Sequence, residues 1–290
     1  MKRVVSTLKK VGNSIRGVTF DLWETLLFER DGDSNRRNIA RSIGVAKVFN
    51  KFGVSVSAEQ VGSAMKQVIT RLLEVWNSND DVSHVEQLEL LVKYVSDGSV
   101  VLRNEWVEEL SSAYVSPFFD VPPYLNPDAE SVLEELAEAG KRVGLICNTG
   151  LTPGFALRRF LESEGVLEFF DFLVFSDEVG FRKPEQRVFD LAARKLGVDA
   201  CSAVHVGDNL RVDVYGAKNA GFRAIHFACE DGHDKVAEAD PNSLVALSRN
   251  IGNLSPEQVA PDKTINKLAE AIKVIKELEK PNSKTAKNCS

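Results

Sequence analysis

The first segment whose pattern predicts an element is RGVTFDLW at residues 16–23, a run of β-branched and aromatic residues that ends on a carboxylate and reads as a buried strand. Four later runs read the same way, at 142–147, 172–176, 203–206 and 223–227; each is short and apolar and passes into polar or glycine-rich sequence. Between them the period lengthens to that of helices. Residues 128–139 close at Gly140, residues 184–196 begin on Pro184 and close at Gly197, and residues 213–220 close at Gly221. Strand alternating with helix predicts an α/β fold, a doubly wound parallel sheet with right-handed crossovers, whose ligands bind at the carboxyl ends of the strands.

Roughly a hundred residues separate the first strand from the second, too many for one crossover and helical in pattern, so residues 30–120 are expected to form a smaller helical cap. Turn-rich borders frame it: DGDS at 31–34 and SPFFDVPPYLNP at 116–127. The core is then residues 1–29 and 121–250, and residues 251–290 form a C-terminal helix and tail. Residues 239–261 read as loop and residues 264–279 as one amphipathic helix packed on the core. The basic N-terminal stretch reads as a leading strand or an arm, and the chain from Lys280 is too polar to order itself.

Composition changes this picture little and narrows the partners. With 43% hydrophobic and 27% charged residues the chain is an ordinary globular one, and a net charge of -6 offers no broad positive field to nucleic acid. No run is long enough for a membrane helix, and Cys147, Cys201, Cys229 and Cys289 form no C-x-x-C pair. A reducing cytoplasm, no membrane and a small anionic substrate are the expectations.

Four strand ends carry the candidate chemistry. They are Asp21-Leu22-Trp23-Glu24-Thr25, Cys147-Asn148-Thr149-Gly150, Arg182-Lys183-Pro184 and Gly207-Asp208-Asn209 with Asp213 beyond it. A buried carboxylate at a strand end is costly unless it is paired, hydrogen-bonded or bound to a metal. Singly, an Asp after a strand also suits a helix cap, and Lys-Pro a solvated turn. In this order and spacing, across residues 16–228, they resemble the four motifs of the haloacid dehalogenase superfamily.

The resemblance implies roles. Asp21 is the nucleophile and Lys183 the cation that offsets the carboxylates. Asp21, the Trp23 carbonyl and Asp208 hold Mg²⁺, with Asp213 as ligand or support. Trp23, Cys147, Asn148 and Thr149 bind the substrate, together with main-chain N–H groups near 22–23 and 148–149. Two residues depart from the pattern of the phosphatases. Trp23 stands where they carry a second Asp, the general acid, and an indole carries no proton at neutral pH. Cys147 stands where the family has Ser or Thr, and a thiol is a weak donor that otherwise fills a core as a small hydrophobe.

Three functions follow. Asp208 and Asp213 favour a Mg²⁺-dependent hydrolase of a small phosphorylated metabolite. An aromatic Trp23 favours a C–halogen hydrolase, and the two losses together favour a weakly catalytic phospho-ligand-binding protein. The remaining candidates receive bland readings: His205 a satisfied core histidine, Trp76 and Trp106 the interior of the cap, Arg36 and Arg37 a solvated helix face.

Overall fold

The computed structural model describes residues 14–229, 255 and 257–280. The N-terminal arm, most of the 239–261 loop, His233, Cys289 and the tail from 281 lie outside the described residues. Strand β1 is Gly17–Phe20, every residue buried. A tight turn follows, in which the N–H groups of Leu26 and Leu27 both return to the Leu22 carbonyl and Glu24 takes the left-handed φ of 62°. The short strand β2, Leu27–Phe28, then leads out of the sheet.

Four helices follow: α1 (Asp33–Lys51), α2 (Ala58–Trp76), α3 (His84–Val95) and α4 (Asn104–Asp120). Their starts are written in the sequence. Ser57 with Gln60 and Ser83 with Glu86 each form a reciprocal capping box, which satisfies amide donors that a helix start leaves open. Helix α4 stops before Pro122 and Pro123. The chain then re-enters through β3, Tyr124–Leu125, antiparallel to β2, so exit and return run side by side.

The remaining elements alternate. They are α5 (Ala129–Glu138), β4 (Arg142–Cys147), α6 (Gly154–Ser163), β5 (Phe172–Phe175), the single turn α7 (Ser176–Val179), α8 (Gln186–Leu196) and β6 (Ala203–Gly207). A wide helical turn at Leu210–Tyr215 runs into α9 (Gly216–Asn219), and β7 (Arg223–Phe227), β8 (Lys263–Ile265) and α10 (Glu270–Leu278) complete the described chain. The six strands form one parallel sheet in the order β5-β4-β1-β6-β7-β8, the doubly wound fold expected.

Side chains alternate across this sheet. Leu145 and Val206 face the core shared with α5, α6 and α10, while Ile146 and Val174 face α8 and α9. Gly144 lies beneath the Phe172 ring, where a Cβ would stand 2.2 Å from a ring carbon, so no larger residue fits that pairing.

The sheet corrects one expectation. Residues 264–279 are not a single helix: Thr264 and Ile265 join the sheet edge beside β7, and the helix begins at Glu270. Ile265 is buried against the core in register with Phe227, and the Glu270 carboxylate accepts from the N–H groups of Asn266 and Lys267 where the helix starts. β-branched residues at a sheet edge outweigh a helical period that is continuous in sequence.

Candidate active site

β1, β4 and β6 are neighbours in the sheet, so their carboxyl ends bring Asp21, Asn148 and Asp208 to one rim. Asp213 reaches the same place from the wide turn after β6. Carboxylate oxygens of Asp21, Asp208 and Asp213 all lie within 4.8 Å of one another. The Lys183 ammonium, buried to 1% exposure, donates to Asp21 Oδ1 at 2.5 Å and to Asp213 Oδ1 at 2.7 Å.

The surroundings hold Lys183 and Asp213 in place. The Asn148 side chain pairs with the Lys183 backbone in both directions, Nδ2 donating to the carbonyl at 2.9 Å and Oδ1 accepting from the N–H at 2.8 Å. Lys183 and Pro184 are joined by a cis peptide. Asp213 is wholly buried; it also accepts from the Asn209 N–H at 2.9 Å and lies 3.1 Å from His205 Nε2. With Asp213 ionised, the proton of His205 belongs on Nε2, and Nδ1 accepts from the Thr19 hydroxyl at 2.9 Å. His205 is therefore a satisfied core histidine that anchors a site carboxylate. Gly207 makes the room: a Cβ there would stand 2.4 Å from the Asp213 carboxyl carbon.

Charge is distributed unevenly over this cluster. Burial, together with the Asp213 charge, outweighs Lys183 and raises Asp21 to about 7. Burial acts on Asp213 in the same direction, but Lys183 and the His205 hydrogen bond hold its pKa well below the usual carboxylate range. Lys183 is opposed by burial and sustained by the two carboxylates, so it stays a cation. The donor set is of hard oxygens, and the Trp23 carbonyl accepts no hydrogen bond from the described residues. This arrangement fits Mg²⁺.

The cluster opens into a cleft of about 340 Å³ roofed by the helical layer, which contributes Arg37, Arg41 and Trp76 to its wall. Of the expected substrate contacts, Trp23, Asn148 and Thr149 line this cleft. Trp23 packs edge-on against Phe118 of α4 at 6.4 Å. Thr149 is less available than expected, because its N–H donates to Ser176 Oγ at 2.8 Å and its hydroxyl accepts from the Asp177 N–H at 3.2 Å. Cys147 lies in the hydrophobic core, 1% exposed, and does not line the cleft; burial pushes its thiol pKa well up.

The structure also corrects the helix-face reading of the arginines. Arg36 is exposed, but Arg37 is buried beneath Val121, donating to its carbonyl at 3.0 Å and pairing with Glu29. Arg41, one turn on, was missed. Asp33, Arg37, Arg41, Val45 and Phe49 recur every fourth residue on the buried face of α1, and that period is the signal that finds it. The two tryptophans of the helical layer divide: Trp106 stacks on Phe52 inside that layer, whereas Trp76 lies in the cleft wall with the Arg182 guanidinium 4.0 Å above its ring.

A second contact ties the helical layer to the sheet. Asp81, in the α2–α3 loop, accepts from Trp76 Nε1 at 2.9 Å and from Ser176 Oγ at 2.5 Å, and pairs with Arg182 at 3.4 Å. Its N–H donates to the Gly180 carbonyl, and the Arg182 N–H donates to the Asn79 carbonyl. Ser176 in turn holds Thr149, so a residue of the helical layer fixes the loop after β4.

Comparison with known proteins bears on the family and the fold. A family model described as haloacid dehalogenase-like hydrolase matches residues 15–221. The chain is similar to the glyceraldehyde 3-phosphate phosphatase of Methanopyrus kandleri, 27% identical over 273 residues, covering 92% of this chain and 99% of that one. It also resembles the ribulose-1,5-bisphosphate 5-phosphatase of Halopiger xanaduensis, 35% identical over 131 residues, which are 45% of this chain and 53% of that one. Its fold is like that of the 2-haloacid dehalogenase from Pseudomonas syringae pv. Tomato DC3000, with a TM-score of 0.60 at 22% identity over 91% of this chain and 99% of that chain.

Proposed function

Because the chain belongs to the haloacid dehalogenase-like hydrolases, and is thus a hydrolase, we propose that it removes phosphate from a small phosphorylated metabolite, with Asp21 as nucleophile and Mg²⁺ as cofactor. The observation that carries this reading is the cluster itself: carboxylate oxygens of Asp21, Asp208 and Asp213 converge within 4.8 Å of one another, a set of hard oxygen donors that suits a divalent cation, and Lys183 reaches two of the three. Relatives named as phosphatases of sugar phosphates support it.

An Asp21 oxygen attacks phosphorus, and the P–O bond to the leaving group breaks, its electron pair departing on that oxygen. Water then attacks the same phosphorus, releases inorganic phosphate and restores the carboxylate. Asp21, Asp208 and the Trp23 carbonyl would hold a divalent cation, whose positive charge would keep Asp21 ionised at neutral pH, where burial and the Asp213 charge, opposed by Lys183, raise it to about 7. Lys183 remains protonated through the cycle and neutralises charge without giving up its proton. Asn148 positions Lys183, and His205 positions Asp213.

Residues 30–120 act as a cap that selects the substrate, and the β2–β3 pair is its hinge. Among the described residues no helix is long and apolar enough to cross a membrane, and the cleft admits a small anion. Trp23 favours a second reading, C–halogen hydrolysis, since halide departs unprotonated.

Phosphate monoesters, acetyl phosphate and L-2-chloropropionate, each assayed with Mg²⁺ and with a chelator, separate the two. Phosphate release that requires Mg²⁺ is expected, fastest from acetyl phosphate, whose leaving group needs no proton. Asp21→Asn should reduce that rate by at least about 10⁴-fold while the protein stays folded by circular dichroism. Chloride release that survives the chelator would instead establish the dehalogenase reading.

A further inference from the structure

Three buried arginines line the cleft, and they differ in how their charge is met. Arg37 pairs with Glu29 and Arg182 with Asp81. Arg41 is 2% exposed, and among the described residues no carboxylate lies within ion-pair reach of it. Its guanidinium donates from Nε to the Tyr114 carbonyl at 2.8 Å and from Nη1 to Asn38 Oδ1 at 2.6 Å, and lies 4.5 Å above the Tyr114 ring. These contacts are all neutral, and Nη2 makes no hydrogen bond to the described residues. Burial lowers the pKa of Arg41, but a guanidinium keeps its charge at neutral pH.

A buried charge that the protein itself leaves uncompensated is expensive, and a neutral residue would tie α1 to α4 at lower cost. The cost makes sense where an anion arrives from outside. Arg41 lines the same cleft as Asp21 but is carried by α1 of the helical layer, and Lys183 already serves Asp21 from the sheet side, so Arg41 is free to meet a different anionic group.

We propose that Arg41 receives a second anionic group of the substrate, a carboxylate or another phosphate, so that the preferred metabolites carry negative charge at both ends. This rests on the phosphatase reading for the identity of the first anion. The planar guanidinium has one Nη1 hydrogen and both Nη2 hydrogens left, enough to hold two oxygens of one group.

Binding to Asp21→Asn protein with Mg²⁺, followed by calorimetry, tests this apart from turnover. Two matched pairs serve as probes: 3-phosphoglycerate against glycerol 3-phosphate, and fructose 1,6-bisphosphate against fructose 6-phosphate. In at least one pair the doubly anionic member should bind about 10- to 100-fold more tightly, and the pair that discriminates identifies the second group as carboxylate or phosphate. Adding Arg41→Gln should bring that ratio to within about threefold of one, with Arg41→Lys between the two. Ratios near one in both pairs would overturn the proposal, as would a preference that survives Arg41→Gln or a failure of every probe to bind. The ratios of the protein with Arg41 intact decide the matter even if Arg41→Gln does not fold. Tight, discriminating binding without turnover by the unaltered enzyme would sink the phosphatase reading and leave Arg41 as an anion receptor.

Discussion

On the sheet side of the cleft the buried carboxylates of Asp21 and Asp213 share one ammonium, while on the helical side Glu29 pairs with Arg37 and no carboxylate among the described residues lies within ion-pair reach of Arg41. Among these groups each side holds one charge more of one sign than of the other. The excess differs in how it is held. Asp213 is fixed by Lys183, His205 and a backbone N–H and carries its charge firmly, whereas Asp21, sharing the same lysine, titrates near neutral pH. Arg41 has hydrogen bonds to neutral oxygens and a ring face, but no counter-ion. A wall with surplus negative charge suits a divalent cation and one with surplus positive charge suits an anion, so a Mg²⁺-bound phosphate ester with a charged tail would complete both at once.

The comparison breaks hardest at Lys183. Lys183→Met removes the one ammonium between Asp21 and Asp213, and with chelator present the folded state should lose about 3–5 kcal/mol at pH 8, read from the urea midpoint. The sign with pH is fixed by Asp21. Its folded pKa is already above its unfolded value and rises further without the lysine, so stability is present at low pH and lost as pH climbs through the folded pKa. The loss at pH 6 should therefore be smaller than at pH 8. Equal losses at both values would mean that the two carboxylates do not share their charge as described.

How much of this was legible in the sequence follows the same division. The strand ends that carry Asp21, Asn148, Lys183 and Asp208 lie in the segments whose apolar runs and turn residues are strongest. Their convergence follows from parallel strands, because all carboxyl ends then face one way. β8 was not legible: its pairing with β7 joins residues nearly forty apart, and its sequence continues without a break into the period of α10. Asp81 sits in SNDD, which reads as a polar turn, and only packing against Ser176 and Arg182 makes it a buried link. Arg37 and Arg41 lie on the apolar face of α1 by their spacing, but for Arg37 residue type argues for solvent, and Arg41 was passed over. Where period and residue type disagree, a buried charge at a site is the reading to weigh.

A smaller effect sharpens the helical side. His84, at the start of α3, contacts Ser111 through Nε2 at 2.9 Å and packs against Tyr114, and its buried Nδ1 has no hydrogen-bond partner among the described residues. Burial and the Arg41 charge hold its pKa at about 4, below the ordinary histidine value of 6.5. With the folded pKa depressed, its contribution to stability is complete above pH 6.5 and is lost as pH falls toward 4. The difference is about 3 kcal/mol at most. The stability gap between the unaltered protein and His84→Gln should thus shrink between pH 7.5 and pH 4 in chemical denaturation. A gap independent of pH would show that the Arg41 side does not repel protons, and with it that Arg41 is better neutralised than its contacts indicate.

The smallest effect concerns Cys147, which stands between the two readings of its own strand end. Charges of Asp21 and Lys183 reach it, yet its side chain belongs to the hydrophobic core and not to the cleft wall. In Cys147→Ser the sulfur is replaced by a hydroxyl that must find an acceptor in that core. If none is near, the cost is about 1–3 kcal/mol of stability, with KM for the phosphorylated substrate unchanged. The family resemblance gives the opposite expectation, that a hydroxyl at this place binds an oxygen of the transferred group and lowers KM. Because stability and KM respond oppositely, one variant separates a packing role from a binding one. A severalfold fall in KM would extend the anion site to the end of β4, whereas a destabilised protein with the same KM would leave oxygen binding to main-chain amides and Lys183.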